Sequence, residues 1–109
     1  ISLGGESETF FGLSGLGDLI GTCIGEWSRN RNFGLALAKG GTPEQIIGKQ
    51  KTVVEGYWAT ACFFAKCDHE RVEMPILREI YEILYEGKDP FIALSDLMSR
   101  GLKAESLRE

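Results

Sequence analysis

The residues best placed to do chemistry are Ser28-Arg29-Asn30-Arg31-Asn32, because they fall where a helix is expected to begin. Unpaired backbone N–H groups and the positive end of the helix dipole attract an anion at such a point. Arg29 and Arg31 add charge and a planar donor fork that suits a phosphate. Basic residues in a first turn otherwise oppose the dipole, and a bound phosphate would resolve that conflict. The competing reading is an ordinary solvated turn, since short motifs often match by chance.

A second candidate is Gly12-Leu13-Ser14-Gly15-Leu16-Gly17-Asp18-Leu19, which invites comparison with a dinucleotide-binding glycine loop. Its spacing is wrong. Gly15 and Gly17 supply a GxG, but Ile20 occupies the third glycine position and no strand-like run comes before. These glycines then read as servants of tight turns and close helix packing. Asp18, flanked by Leu16, Leu19 and Ile20, is expected to be partly buried and to need a partner, in a capping or structural role.

Other titratable residues suggest less. Glu55, after Val53-Val54, sits at a predicted helix start, where an acid complements the dipole. His69 is the only histidine and lies between Asp68 and Glu70 at a predicted helix end, an exposed position. Cys62 and Cys67, five residues apart, diverge by about 140° around a helix, so they do not converge with His69 on a zinc ion. No metal site and no serine or cysteine nucleophile pattern is expected.

Helices must position all of these groups. Ser28 is placed to cap a helix from Arg29 to about Lys39, with Gly40-Gly41 as its terminator. Thr42-Pro43-Glu44-Gln45 resembles a capping box, which predicts a short helix over 43–49. Met74-Pro75 opens another, in which Ile76, Leu77, Ile80, Tyr81 and Leu84 form an apolar stripe while Arg78, Glu79, Glu82 and Glu86 are solvated; Gly87 ends it. Residues 89–100 form the last helix, with Asp89 as cap, Pro90 in the first position, an apolar face of Phe91, Leu94, Leu97 and Met98, and Gly101 as a left-handed stop. Residues 55–67 differ, because Tyr57, Trp58, Ala59, Ala61, Cys62, Phe63, Phe64 and Ala65 cover nearly every face of their helix. Such a helix is normally buried all round, so part of it is expected to face a neighbouring chain or a further portion of the protein. No alternating run argues for a strand, and the class is all-α.

Composition sets outer bounds. With 109 residues, 43% of them apolar and 26% charged, the chain reads as one folded, soluble domain. Sixteen acidic residues against 12 basic ones give a net charge of -4, so neither nucleic acid nor an anionic membrane is attracted globally. Every apolar stretch is interrupted well short of a membrane span. Cys23, Cys62 and Cys67 are odd in number and form no CxxC pair, which suits a reducing cytoplasm. A start at Ile1 with no leader-like segment reads as a processed chain or an excised fragment.

Several ordered motifs then carry a resemblance. Thr9-Phe10-Phe11-Gly12-Leu13-Ser14-Gly15-Leu16-Gly17-Asp18-Leu19, Thr22-Cys23, Ser28-Arg29-Asn30-Arg31 and Phe33-Gly34 resemble NAD(P)-dependent glycerol-3-phosphate dehydrogenase. Val53-Val54-Glu55-Gly56-Tyr57, Val72-Glu73-Met74-Pro75-Ile76 and Leu84-Tyr85 follow in that family's order, so the similarity spans nearly the whole chain. The apolar run from Trp58 to Ala65 departs from it, since more polar residues are expected there.

The resemblance implies an all-α, helical C-terminal domain of the 6-phosphogluconate dehydrogenase C-terminal-like type, truncated at its N-terminal end, with residues 1–109 as substrate-binding domain and the Rossmann domain absent. It implies a parent that interconverts dihydroxyacetone phosphate and sn-glycerol 3-phosphate for glycerophospholipid synthesis. NAD or NADP would be bound mainly by the absent domain, and the family's lysine lies outside this chain, so the chain alone should be inactive. Asp18, Thr22, Ser28, Arg29 and Asn30 would meet the substrate, and Arg29, Val53 and Glu55 the cofactor. Self-association or a homodimer is expected. A helical oligomerisation or interaction module, using residues 55–67 as its contact surface, is the alternative. A related hydroxyacid-type dehydrogenase domain would not need the Ser28-Arg29-Asn30 grip.

Overall fold

The computed structural model describes residues 1, 3–49 and 53–101, and every regular element among them is helical, as the missing alternation predicts. The order is α1 (Ser7–Phe11), a π-helical turn (Leu13–Gly17), α2 (Asp18–Ile24), α3 (Arg29–Ala38), α4 (Pro43–Lys49), α5 (Glu55–His69), α6 (Pro75–Tyr85) and α7 (Pro90–Met98). Among the described residues, no helix is long and apolar enough to cross a membrane.

Local chemistry sets most boundaries. Ser28 is extended, and its Oγ accepts from the Arg31 N–H at 3.2 Å, satisfying a donor that the first turn of α3 leaves unpaired. The predicted capping box of α4 is reciprocal: the Gln45 N–H donates to Thr42 Oγ1 at 3.3 Å and the Thr42 N–H to Gln45 Oε1 at 3.4 Å. Asp89 Oδ1 accepts from the N–H groups of Phe91 at 2.8 Å and Ile92 at 3.3 Å, and Pro90 takes the first position of α7. That helix stops at Met98, short of the expected Arg100, and Gly101 is not left-handed. Instead the Arg100 N–H reaches back only three residues, to Leu97 O, while Ser99 Oγ donates to Asp96 O and competes for the last turn.

The core lies where α3, the lead-in to α5, and α6 meet. Phe33, Val54 and Leu84 are buried together, with Leu37, Ile46, Ile47, Tyr57 and Tyr85 packed around them. Aromatic rings extend this core along the helices. Phe64 stacks on Tyr81 at 4.0 Å, Tyr81 on Tyr85 at 5.0 Å and Tyr85 on Tyr57 at 4.8 Å, and Tyr57 meets Phe33 edge-on at 6.1 Å. Stacked and edge-on rings bury large apolar areas against one another.

Two expectations about faces need correction. The helix read over 55–67 runs to His69 and is not buried all round: Thr60 and Cys67 are its buried residues, while Trp58 and Phe63 are exposed. Within the described residues, nothing covers that side. On α6, Glu79 and Glu82 are half-buried rather than fully solvated, because Lys88 turns back from the α6–α7 junction and replaces part of their water. Its ammonium lies 2.6 Å from Glu79, 2.9 Å from Glu82 and 2.8 Å from Asp96 of α7. Only the 14% exposed carboxylate of Glu79 is nearly dry, and this ion pair is its partner.

Candidate functional site

The first turns of α3 and α5 meet at one edge of the core. Val54 is anchored in that core, so the chain must enter α5 beside the start of α3. There the Gly56 N–H donates to Asn30 Oδ1 at 3.1 Å, and Arg29 Nη2 stands 3.9 Å from Glu55 Oε1. Tyr85 of α6 steadies the same turn by donating its hydroxyl to Tyr57 O at 2.5 Å. Burial, followed by the neighbouring Tyr57, pushes the Tyr85 phenol above its ordinary range.

This edge is electropositive for two reasons. Two helix N-termini contribute positive dipole ends, and Arg29 carries an exposed guanidinium between them and water. Glu55 offsets part of that charge, but at 3.9 Å and with both groups exposed the pair is weak. An arriving anion can therefore displace it. Asn32 Nδ2 donates to Glu26 O at 2.9 Å and fastens the turn that leads into the site.

The sequence-predicted residues divide into two groups. Ser28, Arg29, Asn30, Val53 and Glu55 come together at this edge, with Val53 61% exposed and Ser28 3% exposed. The Ser28 oxygen already caps α3, so its hydroxyl hydrogen is what it can still offer. Asp18 and Thr22 lie one turn apart on α2, and α2 packs against α3. The expectation that Asp18 is partly buried with a partner, or caps a helix, is corrected. Asp18 is exposed in the first turn of α2, Gly17 is the capping residue, and no side chain caps that end. Because no residue of α2 is buried, water and the helix dipole solvate the carboxylate instead. Thr22 is half-buried.

Sequence reasoning missed the contact between Asn30 and Gly56, since 26 residues separate them and neither local spacing nor periodicity reports it. Behind the edge lies an apolar cavity of about 390 Å³ whose walls include Asn30, Phe33, Val54, Gly56, Tyr57 and Leu84. A larger cavity of about 520 Å³ sits at the α5–α6 junction and contains none of the predicted site residues. Its charges are largely engaged: Arg100 pairs with Glu73 at 2.9 Å and Arg78 lies over the Phe64 ring. His69 ends α5 as an exposed side chain, as expected, 3.5 Å from Glu70.

Fold and site together define an all-helical domain that presents an arginine and an asparagine where two helices begin. The chain belongs to the family described as NAD-dependent glycerol-3-phosphate dehydrogenase C-terminus, whose model matches residues 1–95. Its relatives include glycerol-3-phosphate dehydrogenase [NAD(P)+] of Aliivibrio fischeri, 47% identical over 97% of this chain and 31% of that protein. The same enzyme of Idiomarina loihiensis is 49% identical over 96% of this chain and 32% of its own length. The crystal structure of glycerol-3-phosphate dehydrogenase from Coxiella burnetii superposes with a TM-score of 0.86 at 39% identity, covering 90% of this chain and 30% of that one. The chain thus spans about a third of the relatives it matches.

Proposed function

We propose that residues 1–109 are the C-terminal, substrate-side domain of an NAD(P)-dependent enzyme that interconverts dihydroxyacetone phosphate and sn-glycerol 3-phosphate. The observation that carries this reading is the meeting of two helix N-termini around Arg29 and Asn30. Such an edge suits a phosphate dianion, which accepts from a guanidinium, a side-chain amide and free backbone N–H groups together.

In this reading Arg29 and Asn30 hold the phosphate, which is remote from the carbonyl that reacts, and Ser28 shapes the turn they stand on. Remote binding energy then fixes the carbonyl for reduction. Asp18 and Thr22 help to orient the far end of the substrate together with the family lysine, which lies outside this chain and gives its proton to the carbonyl oxygen. A nicotinamide, when bound, supplies the hydride for the carbonyl carbon. The exposed Arg29, Val53 and Glu55 fit contact with such a nucleotide, Arg29 by charge, Val53 by apolar surface and Glu55 as a hydrogen-bond acceptor.

Exposed apolar helices support a larger parent. Phe10, Phe11, Leu13, Leu16, Leu19, Ile20 and Ile24 are all exposed along α1, the π-helical turn and α2, far more than a lone domain normally shows to water. We assign that face to the remainder of the parent, with a Rossmann domain as the main nucleotide site, and the Trp58–Phe63 face of α5 to self-association. Free thiols at Cys23, Cys62 and Cys67 fit a reducing, cytoplasmic setting.

The test is the full-length protein with dihydroxyacetone phosphate and NADH or NADPH. Turnover is expected, and its absence rejects the activity. Arg29→Ala should cost about 2–4 kcal/mol of transition-state stabilisation, read from the fall in kcat/KM, while leaving the melting temperature nearly unchanged. Near-normal efficiency removes Arg29 from the grip.

A further inference from the structure

Asn30 and Gly56 meet across the edge where α3 and α5 begin, and their contact decides which end of the Asn30 amide faces the site. A carboxamide accepts at one end and donates at the other, so by itself it does not distinguish an anion from a cation. A backbone N–H can only donate. The Gly56 N–H, 3.1 Å from Oδ1, therefore takes the accepting end and turns the two Nδ2 hydrogens away from α5. No acceptor meets Nδ2 among the described residues.

Gly56 also provides the space. A Cβ at this position would stand 2.7 Å from Asn30 Oδ1 and 2.9 Å from Cγ, too close for either atom to stay. The Gly56 backbone does not require glycine, because its φ is not left-handed, and glycine within a helix is less favourable than alanine. Its neighbours hold it fast. Val54 is buried in the core on one side, and Tyr85 grips Tyr57 O on the other.

We propose that Gly56 is a positioning residue: its N–H and its missing side chain lock Asn30 as a donor toward a phosphate oxygen. The proposal rests on the reading of the Arg29–Asn30 edge as a phosphate grip, and it adds a residue that makes no contact with the ligand.

The experiment measures glycerol 3-phosphate affinity by calorimetry, and melting temperature, in the full-length protein and five variants. Gly56→Ala should weaken binding about tenfold or more by displacing the Asn30 amide, while melting stays level or rises because alanine favours the helix. Asn30→Ala should lose a comparable factor, and the Gly56→Ala/Asn30→Ala double variant no more than Asn30→Ala alone, as coupling through one amide requires. Asn30→Asp keeps an acceptor for the Gly56 N–H and should keep its melting temperature, yet it should bind at least tenfold more weakly because an oxygen replaces the donor. Unchanged affinity in Gly56→Ala or Asn30→Asp, multiplied losses in the double variant, or early melting of Gly56→Ala would each overturn the proposal. Should Arg29→Ala lose binding while Gly56→Ala does not, the positioning role alone fails. Undiminished binding by Arg29→Ala would instead remove the grip itself.

Discussion

The N-terminal arm from α1 to α2 and the body formed by α3 to α7 are both helical, yet different forces hold them. In the body, Phe33, Val54 and Leu84 come from segments far apart in sequence and bury one another, and side chains of Ser28, Thr42 and Asp89 cap α3, α4 and α7. In the N-terminal arm no residue of α1, the π-helical turn or α2 is buried, no side chain caps these elements, and Leu13 is 91% exposed. Backbone proximity is what the arm does possess. At Gly15 a Cβ would stand 2.6 Å from the Phe10 Cα, so that glycine is where the turn folds back on α1. The lesson concerns the site. A long-range hydrogen bond already fixes Asn30 against Gly56, and Arg29 stands in the same capped turn, whereas Asp18 and Thr22 ride on an arm in which no helical residue is buried.

Core truncation should separate the two regions most clearly. Phe33→Ala removes a ring shared by the core and the aromatic chain and should cost about 3–5 kcal/mol of unfolding free energy by urea titration. A loss below about 1 kcal/mol breaks the claim that this cluster organises the body. Leu19→Ala supplies the contrast. It should shift the stability of the 109-residue chain by no more than about 0.5 kcal/mol, since Leu19 is exposed there. The same change in the full-length protein should cost about 2–4 kcal/mol if the arm is covered, and equal values in both contexts would show that it is not.

The same contrast explains what could be read from sequence. Caps and stops depend on residues within a turn of each other, so Ser28, the Thr42–Gln45 box, Gly87 and Asp89 were legible from spacing alone. Burial depends on what packs from elsewhere, and there local patterns misled. Leu neighbours suggested a buried Asp18, but no partner helix arrives to bury it. Polar spacing suggested a solvated Glu79 and Glu82, but Lys88 folds back onto both. At the site, helix-start chemistry marked Arg29 and ordered motifs marked Val53 and Glu55. The Asn30–Gly56 bond that joins them is a property of the core, and no local signal carries it.

Capping offers a smaller test of the body's local order. Asp89 accepts two backbone N–H groups at the start of α7, and Asp89→Ala should cost about 1 kcal/mol, visible as a drop of a few degrees in melting temperature. Asp18→Ala, at the uncapped start of α2, should cost only a few tenths of a kcal/mol by comparison, through the lost dipole interaction. Similar losses at both positions would erase the distinction between the capped start of α7 and the uncapped start of α2.

An effect smaller than the loss of the Asp89 cap lies at the rear of the site and depends on pH. Tyr85→Phe removes the hydroxyl that holds Tyr57 O and should cost about 0.5–1 kcal/mol at neutral pH. Burial favours the neutral phenol in the folded state, so its acid constant is raised relative to the unfolded chain. The stabilisation is therefore fully present below the unfolded tyrosine value near 10 and is lost as pH climbs through the raised folded value. Lys88, raised by Asp96, Glu79 and Glu82, loses its contribution in the same alkaline direction, so the wild-type protein alone cannot separate the two. Urea midpoints measured from pH 7 upward should fall less steeply above about pH 10 in Tyr85→Phe than in wild type, and an absorbance titration should lose a tyrosine that ionises above the ordinary range. Superimposable alkaline limbs would show that the hydroxyl beside Tyr57 meets solvent freely, and that the rear of the Gly56 turn is as loosely held as the arm.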